Sequence, residues 1–186
     1  KALTAAEAVA IVAKRSKSQD LFAGKGKMAA AVMNEETALA FAKTHGLNEI
    51  GVAAINAPNS VTISGPTDEI QAFRDAARKA QTVVHVLDIN YPFHHPIIDS
   101  ARDLFLADLP TIEPKSGACI YVSTVTGGIY DCRGLDADYW WRNVRDPVLF
   151  KSAAETALDL GCNLFIEISP RSILSNYVSE IAKHAS

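Results

Sequence analysis

The chain has 186 residues, of which 48% are hydrophobic and 21% charged, enough for one domain with a buried core. Its 18 Lys and Arg against 21 Asp and Glu give a net charge of −3, which argues against a nucleic-acid binder held by bulk positive charge. Short apolar runs, no recognisable signal peptide and three scattered cysteines predict a reduced, cytoplasmic globular chain without a membrane span, a disulfide framework or a metal site.

Short apolar runs alternate with helical patterns in the first half of the sequence. Thr4 and Glu7 form a capping box that predicts the start of the first helix, and Asn34 and Thr67 predict the caps of two more. Strands are predicted around the second and third helices, over residues 28–33, 50–55, 61–64 and 83–89. The order over residues 27–89 is β-α-β-β-α-β, which is the ferredoxin-like pattern.

The second half is predicted to be mostly helical. Helices are indicated over residues 96–105, 137–143, 148–160 and 172–184, with single strands over 118–125 and 163–168. Two strands are too few for an independent sheet. We therefore expect residues 1–26 and 90–186 to belong to a larger α/β subdomain whose first half lies outside this chain.

Two adjacent histidines, His94 and His95, lie between Pro92 and Pro96. A metal site is disfavoured because neighbouring side chains point in different directions. In one interpretation, His95 caps the following helix and His94 is a loop residue. In the other, a histidine just before the helix is a general base, since the positive end of the helix dipole favours the neutral imidazole. The residues alone leave both interpretations open.

Arg15 lies on the first helix within a basic cluster. The other members of the cluster are Lys14, Lys17, Lys25 and Lys27. Such a run is most often a solvated face, but it could also dock an acidic partner. An arginine turned inward would instead hold a carboxylate through two parallel hydrogen bonds.

Several different short motifs are spread over almost the whole chain. They are Arg-Ser-Lys at 15–17, Gly-Lys-Gly-Lys-Met-Ala-Ala at 24–30, Asn-Ala-Pro-Asn-Ser-Val-Thr-Ile-Ser-Gly at 56–65, Tyr-Pro-Phe-His at 91–94, Val-Ser-Thr-Val-Thr-Gly at 122–127, Leu-Asp-Ala-Asp-Tyr-Trp at 135–140, Arg-Asn at 142–143 with Pro-Val at 147–148, and Phe-Ile-Glu-Ile-Ser-Pro at 165–170. In this order they resemble the acyltransferase domain of polyketide synthases, which is related to malonyl-CoA:acyl-carrier-protein transacylases. The resemblance starts just downstream of the Gly-His-Ser-x-Gly motif of that family.

The resemblance implies a fold, a reaction and partners. The fold is an α/β-hydrolase-like large subdomain with a ferredoxin-like small subdomain inserted, here residues 27–89. In the reaction, a serine attacks the thioester of an acyl-CoA, and the acyl group then passes to the phosphopantetheine thiol of an acyl carrier protein. No bound cofactor is implied. The expected partners are acyl-CoA, the carrier protein, the remaining part of the domain and adjacent synthase domains.

The resemblance also implies roles for single residues. His94 matches the catalytic histidine, and His95 stands where a serine is common. Arg15 matches the arginine that pairs with the free carboxylate of malonyl-type substrates. The backbone carbonyl of Asp146 matches the group that orients the imidazole of the histidine.

Substrate binding is further assigned by the resemblance to Tyr91, Phe93 and Asn56. Malonyl-selecting members tend to have His-Ala-Phe-His at the histidine motif, and methylmalonyl-selecting members Tyr-Ala-Ser-His. This chain has Tyr-Pro-Phe-His. Because Phe93 would crowd an α-methyl branch, malonyl is the preferred substrate.

The chain has no Gly-x-Ser-x-Gly motif and therefore no recognisable serine nucleophile. We expect it to supply the histidine and the arginine of a complete domain and to be inactive alone. The alternative function is a non-catalytic docking or scaffold module for a carrier protein, formed by the ferredoxin-like part and the basic cluster.

Overall fold

The computed structural model describes residues 2–107 and 109–185, and its first element is helix α1 (Ala5–Asp20). The Glu7 N–H donates to Thr4 Oγ1 at 3.2 Å, and the Thr4 N–H donates to the Glu7 carboxylate at 2.7 Å. The predicted capping box is therefore confirmed. It satisfies N–H groups that the start of a helix leaves without an intrahelical partner.

A four-stranded antiparallel sheet follows, with the spatial order β2-β3-β1-β4. Its strands are β1 (Lys27–Ala31), β2 (Gly51–Ala57), β3 (Ser60–Gly65) and β4 (Val84–Val86). Helix α2 (Glu35–Thr44) connects β1 to β2, and helix α3 (Thr67–Lys79) connects β3 to β4. The predicted β-α-β-β-α-β order is confirmed.

The two caps predicted within this unit have different outcomes. Asn34 caps α2, where its side chain accepts a hydrogen bond from the Thr37 N–H at 2.8 Å. The Thr67 cap is wrong, because Pro66 occupies the cap position and Thr67 is already the first helical residue. Proline has no side-chain acceptor, so α3 starts without a side-chain cap.

One face of the sheet and its β2 edge have different partners. Apolar side chains on alternate strand positions, including Val61 and Ile63, pack with Ile70 and Phe73 of α3 in one buried cluster. On the other hand, β2 joins the C-terminal half of the chain through its backbone. The Ile55 N–H donates to the Val148 carbonyl at 2.9 Å, and the Val148 N–H donates to the Ala53 carbonyl at 2.9 Å.

The C-terminal half is helical, as predicted. A 3-10 helix (Pro96–Ala101) leads into α4 (Arg102–Ala107), and α5 (Ala137–Arg145), α6 (Phe150–Asp159) and α7 (Ser175–Ala185) follow. Of the helices in the described residues, none combines the length and the apolar character that crossing a membrane requires.

A second apolar cluster holds the end of α1, the 3-10 helix, α4 and α5 together. Its buried members are Phe22, Ile98, Ala101, Phe105, Trp141 and Val144. Full burial of one such large side chain stabilises a fold by roughly 1.5–3 kcal/mol. The cluster therefore fixes the relative positions of the segments on both sides of residues 90–95.

Both strands predicted for the C-terminal half differ in the structure. Within residues 118–125, only β5 (Val122–Ser123) is a strand, and it pairs with β6 (Gly128–Ile129). Residues 163–168 form no strand and are not buried, since Leu164 is 75% exposed and Ile168 96%. A strand needs a neighbour for its backbone hydrogen bonds, and the described residues provide none beside this segment. The division into a large and a small subdomain stays a prediction.

Gly26 packs against the loop that leads to His94. A Cβ at this position would lie 2.5 Å from the Gly65 carbonyl oxygen and 2.6 Å from Pro92 Cβ. We expect Gly26→Ala to lower the free energy of unfolding by about 1–3 kcal/mol, measured by urea denaturation, because the backbone must shift to admit the methyl group. Gly128→Ala is the matched control, since no atom lies within 4 Å of its added Cβ. Equal effects of the two substitutions would contradict the prediction.

Candidate functional site

His94 has a left-handed backbone conformation, with φ at 56°. This region is unfavourable for residues other than glycine and costs of the order of 1–3 kcal/mol, so it persists only where the surrounding structure imposes it. Pro92, two residues earlier, is fully buried, and the 3-10 helix begins two residues later at Pro96. The His94 side chain therefore projects from a constrained loop between β4 and the 3-10 helix.

The His94 imidazole is held by the end of α5. Its Nδ1 lies 2.7 Å from the backbone carbonyl oxygen of Asp146, the residue that caps the C-terminus of that helix. Because a carbonyl oxygen can only accept, Nδ1 must carry the proton. Nε2 then holds the lone pair, and it makes no hydrogen bond within the residues described.

Burial lowers the pKa of His94 to about 4. The hydrogen bond to the Asp146 carbonyl acts in the opposite direction, while the positive charges of Arg15 and Arg145 lower the pKa further. The ring is therefore neutral at pH 7. A neutral ring with its proton fixed on Nδ1 can accept a proton at Nε2.

Arg15 is turned inward and half-buried, so the solvated-face interpretation is wrong for this member of the basic cluster. Its Nη1 donates to Oδ1 of Asn143 at 3.0 Å. Burial lowers the pKa of the guanidinium, which stays charged because arginine does not deprotonate in proteins. Asn143 and Asp146 both lie at the C-terminal end of α5. That end of one helix therefore brings Arg15 and His94 together.

Tyr91 and Phe93 flank the site as a stacked pair. Their ring centroids are 5.2 Å apart, with an angle of 7° between the ring planes. The Tyr91 hydroxyl donates to Oδ1 of Asp20 at 3.1 Å, and this contact raises the pKa of Tyr91. Asp20 is the last residue of α1, the helix that carries Arg15. The loop before His94 is thus tied to that helix.

Asn56 lies apart from the other predicted site residues in its contacts. It is buried in β2, and its Nδ2 donates to Thr62 Oγ1 of β3 at 3.0 Å. Within residues 2–107 and 109–185, it makes no hydrogen bond to His94 or Arg15. Its strand reaches the site only through the backbone pairing with Val148, two residues after Asp146.

The interpretation of the sequence missed the contributions of Asn143 and Arg145. Asn143 positions Arg15, and Arg145 forms an ion pair with Asp99 while its charge acts on His94. The Arg-Asn motif at 142–143 was the available signal for the first. Nothing in the sequence pattern indicated the role of Arg145, because its partner Asp99 lies 46 residues away in the chain.

The described residues include no group of three or more His, Cys, Asp and Glu side chains arranged to hold a metal ion. The chemistry that the arrangement supports on its own is proton transfer at His94 Nε2, beside a fixed cation at Arg15 that can bind a carboxylate.

The whole sequence matches one family of known proteins. Residues 1–186 match the family model described as "Acyl transferase domain". The chain belongs to this family, among the acyltransferase domains of polyketide synthases.

Three similar proteins support this assignment. The spectinabilin polyketide synthase system protein NorA' of Streptomyces orinoci is 33% identical over 178 residues, which are 96% of this chain and 5% of that protein. The acyltransferase domain from module 8 of the salinomycin polyketide synthase superposes with a TM-score of 0.93 at 29% identity, over 98% of this chain and 43% of that one. The malonyl CoA-acyl carrier protein transacylase from Clostridium perfringens has a TM-score of 0.82 at 25% identity, over 98% of this chain and 59% of that one. The chain thus spans only a small part of the curated relative and less than two thirds of either solved structure.

The lowered pKa of His94 predicts a loss of stability in acid. The unfolded chain takes up a proton near the ordinary value of 6.5, whereas the folded ring does so only near 4. The contribution of His94 to the free energy of unfolding is therefore complete above pH 6.5. As the pH drops to 4, this contribution falls by about 3 kcal/mol. Urea unfolding between pH 7 and pH 4 should show this loss in the wild type and lack it in His94→Gln. The exposed His85, substituted in the same way, is the control, and parallel profiles of wild type and His94→Gln would contradict the prediction.

Proposed function

We propose that this chain supplies the general base and the carboxylate-binding residue of an acyltransferase. The reaction moves a malonyl-type acyl group from CoA to the phosphopantetheine thiol of an acyl carrier protein. The observation that carries the proposal is the neutral His94, whose Nδ1 is fixed on the Asp146 carbonyl 2.7 Å away. Membership of the acyl transferase family supports the reaction class.

His94 acts through Nε2 in both halves of the reaction. In the first half, Nε2 takes the proton of a serine hydroxyl as the serine oxygen attacks the thioester carbonyl, and this proton leaves with the CoA thiol. In the second half, Nε2 takes the proton of the carrier-protein thiol, and the thiol sulfur displaces the serine oxygen, which is reprotonated. The Asp146 carbonyl holds the ring in the required tautomer throughout and stabilises the imidazolium.

Arg15 binds the carboxylate at the far end of the acyl group. Asn143 accepts a hydrogen bond from Nη1 of the guanidinium, and no other side chain in the described residues accepts one from Arg15, so Nη2 and Nε remain as donors for a carboxylate. The bound carboxylate also offsets a positive charge that lowers the pKa of His94. Substrate binding therefore makes His94 a stronger base than it is in the free protein.

Phe93 and Tyr91 shape the pocket around the α-carbon of the acyl group. Tyr91 is held by Asp20, and its stacking holds the Phe93 ring in turn. A ring fixed in this way cannot turn aside for an α-methyl group, which supports malonyl over methylmalonyl. Asn56 belongs to the proposed substrate site through its position in β2, next to the segment that contains Asp146 and Val148.

The serine comes from a part of the domain that packs on the exposed apolar surface around residues 163–168. Leu164 and Ile166 are 75% and 78% exposed. A groove of about 420 Å³ lies beside them between α6 and α7, lined by Phe150, Phe165 and Val178 among others. Contiguous apolar surface of this kind is typical of an interface. Solved acyltransferase structures that extend well beyond the matched region agree with such a cover.

The catalytic role of His94 is testable with this chain and a serine-bearing segment of a relative, co-expressed as a two-part domain. We expect no transfer of radiolabelled malonyl groups by the chain alone and transfer to a carrier protein by the two-part domain. His94→Ala should reduce the transfer rate by about 10²–10⁴-fold, because the general base is lost. His85→Ala, on the exposed face of β4, is the control and should leave the rate unchanged.

Two results would contradict the assignment of His94 as the general base. One is stable covalent labelling of the chain alone, and the other is an unchanged rate in His94→Ala. Carrier-protein binding without any transfer by the two-part domain would support the docking-module alternative instead.

The substrate profile tests Arg15 and Phe93 in the same assay with malonyl-, methylmalonyl- and acetyl-CoA. Arg15→Ala should reduce malonyl transfer by roughly 10- to 100-fold, since a charge-assisted contact is lost, and should spare acetyl transfer. Phe93→Ala should raise the rate with methylmalonyl relative to malonyl by about tenfold, the usual value of one methyl group in a pocket. Equal losses for malonyl and acetyl in Arg15→Ala would refute the role of the guanidinium as carboxylate ligand.

A further inference from the structure

His95, the neighbour of His94, is buried with both of its ring nitrogens engaged. It is 6% exposed. Nε2 lies 2.7 Å from the backbone carbonyl oxygen of Glu49, and Nδ1 accepts a hydrogen bond from the Ile97 N–H at 3.1 Å. The carbonyl fixes the proton on Nε2, and the Ile97 N–H requires a lone pair on Nδ1. His95 is therefore a neutral ring with a tautomer opposite to that of His94.

These contacts connect two parts of the fold. Through Nδ1, His95 caps the 3-10 helix that starts at Pro96. Through Nε2, it reaches Glu49, two residues before β2, and the Glu49 N–H in turn donates to the Glu69 carboxylate of α3 at 2.9 Å. The ring also packs directly on Gly51 of β2, where an added Cβ would lie 3.2 Å from His95 Cδ2.

The position of His94 depends on what holds the residue after it. The left-handed backbone of His94 is unfavourable by itself, and the Asp146 carbonyl restrains only its side chain. His95 is the next residue, and its two hydrogen bonds restrain the main chain on the C-terminal side. With the buried Pro92 on the other side, the loop is held from both directions.

We propose that His95 is a positioning residue, which holds the His94 loop to the four-stranded sheet through the Glu49 carbonyl and to the 3-10 helix through the Ile97 N–H. Its catalytic consequence rests on the proposed function of His94, but its structural consequence does not. The surroundings of the ring favour the neutral state, chiefly through burial. Burial lowers the pKa of His95, as does the charge of Arg145, while the Glu49 backbone contact and Asp99 oppose this.

Three variants separate the two contacts. In His95→Asn, the side-chain oxygen replaces Nδ1 as the helix cap, but the side chain is too short to reach Glu49. In His95→Gln, the amide nitrogen replaces Nε2 and keeps the contact to Glu49. His95→Ala removes both contacts. His85→Ala, an exposed histidine on β4, is the control.

The first measurement is the ¹⁵N and ¹H spectrum of the imidazole rings in the full 186-residue chain. We expect the wild type to have His94 protonated on Nδ1 and His95 on Nε2. In His95→Ala, the His94 ring should become a mixture of tautomers, and its pKa should rise toward the ordinary value as burial is lost. His95→Gln should restore the wild-type signals of His94. If His95→Ala does not fold, the His94 signals of His95→Gln and His95→Asn are compared instead. Only His95→Gln keeps the contact to the Glu49 carbonyl, so only His95→Asn should alter the His94 tautomer.

The second measurement is transfer by the two-part domain. His95→Ala should lower kcat by about 10- to 100-fold, the size of effect expected from a misplaced catalytic group, with KM for malonyl-CoA unchanged because Arg15 is untouched. An unaltered His94 tautomer and pKa in both His95→Ala and His95→Asn would overturn the inference. Transfer that survives His94→Ala would overturn the proposed function alone, since the ring spectra would still report whether His95 positions its neighbour.

Discussion

The hydrogen bond from His94 Nδ1 to the Asp146 carbonyl is the interaction on which the site depends. It joins a loop after the four-stranded sheet to the end of a helix more than fifty residues later in the chain, and it selects one tautomer of the ring. Without it, a half-buried imidazole on a strained backbone would have no preferred orientation. The apolar cluster around Phe105 and Trp141 keeps the two partners at this separation, so packing and proton chemistry are coupled in one region.

The C-terminal end of α5 organises the remaining parts of the site. Asn143 holds the arginine, and Asp146 holds the histidine, within three residues of each other. The same helix end is followed directly by the backbone pairing of Val148 with β2. Arg15, His94 and the edge strand β2 are therefore all held by one short segment, and a displacement of that segment would move all three together.

Local signals made much of the fold predictable from the sequence. The Thr4 capping box and the Asn34 cap are set by neighbouring residues, and short apolar runs mark the strands, so the β-α-β-β-α-β order could be predicted. Residues 163–168 were predicted wrongly, because an apolar run can pair as a strand only where another strand lies beside it. The motifs indicated His94 and Arg15 as candidates. Their shared support on α5, and the two contacts of His95, join residues distant in sequence, and no local pattern encodes such contacts.

The opposite tautomers of the neighbouring rings have a consequence for how charge can travel. Each imidazole donates its single N–H to a main-chain carbonyl oxygen, and the acceptor nitrogen of His95 accepts a hydrogen bond from the Ile97 N–H. The two rings therefore share no hydrogen bond through which a proton could pass from His94 to His95. In the proposed reaction, a proton accepted by His94 would stay on Nε2 until the departing sulfur or oxygen takes it.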